Sequence, residues 1–247
     1  MTNSLYHTLN ISRQDMMTRL QDLDVVSNNM ANVNTAGYKS SRMNFQEMLN
    51  ATNREGIHAS GTQMFTTEGA LRSTDNPYDW AIQGEGFFAV KMPDGKTAYT
   101  RNGQFNLDAN HNIVTFNSFP LIWDGKVPEN AVNITLTQDG TVNAVLADGS
   151  NVAAGKVQLT QFNNPTALVN AGNNLWTEST GSGKARTGTP GTNGLGTVIS
   201  NRVEQSNVSL TRELTRMVTD QRAFQLSSKA FQQTDTMIQQ AINLRKV

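Results

Sequence analysis

The sequence predicts an α+β fold in which long N- and C-terminal helices form a coiled-coil-like domain, with an inserted all-β domain and an extended connector. Three observations carry this expectation. Near the start, Leu9, Met16, Leu23 and Met30 recur every seventh residue, and near the finish Leu210, Met217, Phe224, Phe231 and Ile238 do the same. Seven-residue apolar spacing gathers side chains on one helix stripe, which needs a facing helix to bury it. Between the two stripes, Asp-Gly and Asn-Gly pairs separate short alternating apolar runs, a strong hairpin signal.

The first helix is read from about Ser4 to about Ala31, a stretch without Pro or Gly, with Leu20, Val26 and Val33 widening its apolar face. It would run roughly 40 Å at the usual rise. The Asn- and Gly-rich run that follows, from Asn28 to Tyr38, stops the helix and opens an irregular turn, because these residues tolerate left-handed backbone. A short helix is expected around Asn44 to Leu49, where Phe45, Met48 and Leu49 share a face. The polar stretch from Ala51 to Asn76 reads as extended. Strands are expected at Phe87–Val90, around Phe105 and Leu107, at Thr141–Val145, and along Val157, Leu159 and Gln161. Residues 181–196 hold six glycines and read as a loop or return segment. The second helix is expected from Val203 to about Leu244, or from just after Ser206 or Asn207 with one of these as its N-cap, and its stripe is broadened by Leu214, Ala223, Ala230, Met237 and Ile242. The expected organisation is a helical terminal domain from 1–35 and 203–247, a connector at 36–76, an all-β domain at 77–180 and a Gly-rich return at 181–202.

Composition narrows the function classes. The 247 residues carry 20 basic and 20 acidic side chains, and charged residues are only 16% of the total. No basic excess exists for neutralising phosphates, and no polybasic segment for a membrane surface, so neither nucleic acid nor membrane insertion is expected. There is no cysteine, which removes disulfide frameworks and thiolate metal sites. The N-terminal residues lack the basic-then-apolar pattern of a cleavable signal peptide, and no apolar run approaches the roughly 20 residues of a membrane span.

Catalytic motifs fail one by one. Gly181-Ser182-Gly183-Lys184 lacks the upstream Gly and the following Ser or Thr of a phosphate-binding loop, since Glu178 and Ala185 stand there. Gly84-Glu85-Gly86 runs into a strand-like segment and opens no helix. Asp108–Asn112 begins like a calcium loop, but Ile113 and Phe119 occupy the positions that demand Gly and Glu. His7, His58 and His111 are scattered, and neither a metal site, a cofactor site nor a catalytic set is expected. Trp80, Trp123 and Trp176 fall in the β region and are expected to anchor its core, a glycan- or cell-wall-binding β module with helical arms being the alternative from another class. A peptidoglycan hydrolase would need paired carboxylates, and none is recognisable.

Ser27-Asn28-Asn29-Met30-Ala31-Asn32-Val33-Asn34-Thr35-Ala36-Gly37-Tyr38-Lys39 resembles the N-terminal signature of bacterial flagellar axial proteins, the rod, hook and hook-associated subunits. Asp79–Val90, containing Gly84, Gly86, Phe87 and Phe88, with Tyr99–Phe105 behind it, looks like the β region of rod and hook proteins. Ser206-Asn207-Val208 and Gln221–Lys229 look like the C-terminal signature. The matches span nearly the whole chain in the expected order. Its length suits the rod proteins of intermediate size, and its C-terminal stretch resembles distal more than proximal rod subunits; a proximal rod or compact hook-type subunit stays open. The resemblance implies a non-enzymatic structural subunit of the basal-body rod, a helical tubular drive shaft transmitting torque to the hook. It implies partners among copies of itself and other rod and hook proteins. It also implies export without a cleaved signal through the flagellar type III apparatus, to a site outside the cytoplasmic membrane. Terminal helices disordered in the monomer would order on incorporation into an inner tube, with the two heptad stripes as the subunit interface and the β domain outside.

Overall fold

The computed structural model describes residues 2–49 and 54–244. Met1, residues 50–53 of the expected connector and residues 245–247 of the expected helical domain lie outside the described residues, as do the side chains of Phe45, Met48 and Leu49. The chain divides into two compact units: Met1–Ala31, Ser41–Gln63 and Val208–Val247 form one, Asn32–Ser40 and Met64–Asn207 the other.

The first unit holds α1 (Thr2–Ala31) and a two-stranded sheet of β1 (Ser41–Leu49) and β2 (Arg54–Met64). Its other long helix is α2 (Leu210–Leu244), packed against α1. The helices run antiparallel, because partners on α2 fall in number as those on α1 rise: Asp15 meets Ser227, Arg19 meets Asp220, Asp22 meets Arg216 and Asn29 meets Glu213. Two expectations are corrected here. A strand, β1, occupies the place of the short helix at Asn44–Leu49. The second helix starts at Leu210 and not at Val203, which lies in a strand.

The second unit is a body of small antiparallel sheets. In chain order it contains β3 (Leu71–Ser73), β4 (Trp80–Gln83), β5 (Phe88–Lys91), β6 (Thr97–Thr100), β7 (Phe105–Leu107), β8 (Ile113–Thr115) and β9 (Asp124–Gly125). Next come β10 (Ala131–Leu136), β11 (Thr141–Leu146), β12 (Asn151–Lys156), β13 (Leu159–Gln161), β14 (Val169–Gly172) and β15 (Leu175–Thr177). It ends with β16 (Arg186–Gly188), β17 (Thr197–Ser200) and β18 (Arg202–Glu204). The Gly-rich return thus contributes strands. β17 pairs with β4 from Thr197 opposite Gln83 to Ser200 opposite Trp80, and β18 pairs with β3, setting Glu204 opposite Leu71. The last strands close onto the first ones.

The alternation along β5 explains the body's two cores. Phe88 and Val90 point into a cluster with Trp80, Ile82, Phe105 and Val142, while Phe87 and Ala89 point into a second with Tyr99, Phe162 and Trp176. Successive strand side chains face opposite sides, so a continuous apolar run here means a strand buried on both faces. Edge-to-face rings lock both clusters: Phe88 on Phe105 at 5.2 Å and Tyr99 on Phe162 at 4.8 Å between centroids.

Candidate assembly interface

The helix pair places the sequence-identified stripes on a flank. Leu9, Met16, Leu23 and Met30 on α1, and Met217, Phe224, Phe231 and Ile238 on α2, are all half-buried, while Leu210 at the start of α2 is exposed. The more deeply buried line is polar. On α2, Glu213, Asp220 and Thr234 are buried and Ser227 half-buried, again seven residues apart and alternating with the apolar stripe. On α1, Ser12, Asp22 and Asn29 are buried, and Val26 is the one fully buried apolar side chain described in this unit. Leu20, Leu214, Met237 and Ile242, which widen the stripes, lie exposed in the single chain, as Leu210 does. Met17 and Val218 add to the apolar surface left uncovered.

Polar pairing explains the depth of the polar line. Arg216 donates to Asp22 at 2.9 Å and Arg19 to Asp220 at 3.3 Å. Asn29 donates through Nδ2 to the Ser41 carbonyl at 2.8 Å and to Glu213 at 3.3 Å, and its Oδ1 accepts from the Ser41 amide. Of the N-terminal motif, Asn29 therefore ties α1 to α2 and to the start of β1. Asn28 and Ala31 lie exposed at the end of α1.

The rest of the motif belongs to the body. Asn32 accepts from the Thr35 amide and hydroxyl, both at 3.1 Å, building the turn, with Asn34 exposed at its tip. Gly37 takes φ +64°, and a Cβ there would meet the Arg101 carbonyl carbon at 2.4 Å; only glycine fits. Its amide donates to the Glu204 carbonyl at 2.7 Å. Tyr38 is buried, and its carbonyl accepts from the Asn207 amide. The Asn207 side chain accepts from the Ser40 amide at 2.7 Å and donates to the Phe65 and Thr67 carbonyls. Ser206 and Val208, beside it, are half-buried.

At the centre of this junction sits Glu204, fully buried. One carboxylate oxygen accepts from Lys39 Nζ and the Gly69 amide, the other from Arg101 Nε at 2.8 Å. Arg101 also donates to the carbonyls of Ile82, Gly84 and Gly86. The two glycines, both at positive φ, present their carbonyls to the guanidinium in the loop between β4 and β5. Burial, with the Arg101 charge beside it, holds the Lys39 ammonium below the usual lysine range, and Glu204 opposes that shift. In the sequence, Lys39 and Arg101 stand inside the family-like motifs, and Glu204 stands outside them. The available signal was an acid after the inward-facing Val203 in an alternating strand.

Trp80 and Trp176 are buried, so neither presents a ring for stacking on a sugar. No cluster of metal-ligating side chains occurs, and no helix is long and apolar enough to cross a membrane, among the described residues.

Three family models match the chain: the "Flagella basal body rod protein" model over residues 9–39, the "Flagellar hook protein FlgE/F/G D1 domain" model over 81–144, and the "Flagellar basal body rod FlgEFG protein C-terminal" model over 199–244. The flagellar basal-body rod protein FlgG of Buchnera aphidicola subsp. Acyrthosiphon pisum is 36% identical, over 95% of this chain and 98% of its own. FlgG of Bacillus subtilis is also 36% identical, over 91% and 93%. The rod protein FlgF of Mesorhizobium japonicum is 31% identical, over 98% and 97%.

Proposed function

The chain belongs to the flagellar basal-body rod protein FlgE/F/G family, structural and non-enzymatic proteins that assemble with one another, and on that footing we propose that it is a subunit of the distal rod. The higher identity to FlgG proteins than to FlgF supports the distal position. The helical unit forms the inner tube, the body the outer layer, and the segment around β1 and β2 bridges neighbouring copies. Partners are copies of itself and the adjoining rod and hook proteins. Export proceeds through the type III apparatus, which suits a chain with no disulfide to open before threading.

One observation carries the assembly reading. In a single chain the two apolar heptad stripes are only half covered, while polar side chains fill the deepest line. Apolar surface left at that spacing is satisfied by further helices, and a head-to-tail contact that does not close yields a helical filament. The interface therefore comprises Leu9, Met16, Leu23 and Met30 with Leu210, Met217, Phe224, Phe231 and Ile238. Phe224→Asp or Phe231→Asp in the full chain is expected to abolish rod assembly and motility while the tryptophan signal of the body stays native. Normal motility in both variants would overturn the interface.

A further inference from the structure

We propose that a cleft at the start of β5 receives the far end of the same strand from a second copy, joining bodies head to tail through Glu68 and Glu85 on one copy and Lys91 and Phe116 on the next. The inference rests on the rod reading above and adds a contact between bodies to the one between helices. The cleft encloses about 230 Å³ over a floor of Phe87, Phe162 and Pro165. Small-molecule sites run to roughly 300–1,000 Å³, so this space suits one inserted side chain better than a cofactor. At its back, Lys39 and Arg101 are spent on Glu204 and on backbone carbonyls. At its mouth, the exposed Glu68 accepts from the Gly84 amide at 3.3 Å and the exposed Glu85 from Gln161 Nε2 at 2.8 Å. Among the described residues the ion pairs at this end are those of Lys39 and Arg101 with Glu204, so neither rim carboxylate has a cation within ion-pair distance. Arg186, across the ladder from Gln161, pairs with neither. An aromatic floor beneath an acidic rim selects an apolar side chain with a cation beside it.

The opposite end of β5 carries that combination. Lys91 closes the strand, exposed, about 13 Å along it from Phe87 at the usual rise. Lys96 nearby is committed to Asp94, whereas Lys91 enters no ion pair among the described residues. Residues 119–122 run antiparallel along β5: the Ile122 amide donates to the Ala89 carbonyl, and the Lys91 amide to the Pro120 carbonyl. The turn at 116–118 that precedes them is thus carried past Lys91, away from the cleft. Ser118, at φ +62°, closes this turn by donating its amide to the Thr115 carbonyl, and Phe116 stands on it 82% exposed. A lone exposed apolar side chain is ordinary. One at a hydrogen-bonded hairpin tip beside an unpaired lysine matches the cleft in both charge and apolar character. Phe116 enters against the Phe87 and Phe162 rings, and the Lys91 ammonium meets the rim carboxylates. Because the two surfaces lie at opposite ends of one strand, they cannot meet within a chain, and joining copies through them gives an open series.

The test uses the absence of native cysteine, which lets introduced thiols report one chosen contact. Glu85→Cys and Phe116→Cys are placed together in the full chain, and isolated basal bodies are oxidised. Thiols at opposite ends of β5 exceed the roughly 7 Å Cα separation that a disulfide tolerates, so any bond formed joins two copies. The double variant should give a ladder of covalent multimers, and each single variant should give none. Lys91→Glu should reduce motility several-fold, and adding Glu85→Lys to the same chain should restore it, with the tryptophan signal of the body native throughout. A double-cysteine chain that supports normal motility yet stays monomeric on oxidation would overturn the proposal and leave the assembly reading standing, as would unimpaired motility in Lys91→Glu. A ladder together with normal motility in Phe224→Asp and Phe231→Asp would instead remove the helical stripes as the interface and keep this contact.

Discussion

The helical unit and the body solve the same burial problem in opposite ways. The body buries apolar side chains on both faces of β5 and closes its last strands onto its first. It carries one buried ionic centre, Glu204, whose partners are held by backbone on every side. The helix pair buries Val26 and little else that is apolar, and sets its ion pairs beside half-exposed arginines. A unit whose deepest line is polar gains little hydrophobic free energy from its own closure. On the proposed assembly reading, the body stands in a single chain and the helices are completed by neighbouring copies.

The same substitution chemistry should therefore cost different amounts in the two units. Glu204→Ala strands Lys39 and Arg101 as buried, unopposed cations, and breaking a buried pair in this way costs about 3–5 kcal/mol. The tryptophan-reported melt of the body should fall steeply or be lost. Asp22→Ala removes one partner from Arg216, whose side chain is 30% exposed and keeps Glu213, so the helical melt should fall by less. Equal losses at the two sites would break the comparison.

Gly37→Ala asks a narrower question of the body. The left-handed backbone at this position and the approach of the Arg101 backbone to 2.4 Å of a built Cβ both oppose a side chain. Strain of this kind costs of order 1–3 kcal/mol, a smaller fall of the same melt. An unchanged melt would mean that the turn relaxes without disturbing the Glu204 junction.

Much of this was legible in the sequence, for reasons that particular residues make clear. The helices announce themselves because Leu9 and Phe224 belong to apolar heptads that nothing interrupts. The body's hairpins follow from turns such as Asp139-Gly140, which joins β10 to β11 with Gly140 at positive φ. What stayed hidden depends on long-range pairing. The β1–β2 sheet draws on a polar, glycine-dotted stretch whose local pattern resembles linker. Glu204 becomes central only because β18 returns to β3, bringing it to Lys39 and Arg101. The polar heptad of Glu213, Asp220, Ser227 and Thr234 had the same spacing as the apolar one. It went unread because polar residues are ordinarily assigned to the outer face of a helix.

The smallest effect sharpens the comparison most. Thr234 is buried in the helix pair, and its hydroxyl donates to the Ala230 carbonyl one turn back, a bond that adds nothing across the seam and mildly opposes helix geometry. Thr234→Val keeps the shape and removes the hydroxyl, so the buried line becomes apolar at that step. Helical circular dichroism should show a pair more stable by a few tenths of a kcal/mol, up to about 1, as expected for apolar area gained without a cavity. The equivalent exchange in the body, Val142→Thr, should destabilise, because it buries an unpartnered hydroxyl in a packed cluster at a cost of about 1–3 kcal/mol. Opposite signs for one pair of isosteric exchanges would show that the polarity of the seam is not what holds α1 to α2. A loss of stability in Thr234→Val would instead make that hydroxyl a structural part of the pair.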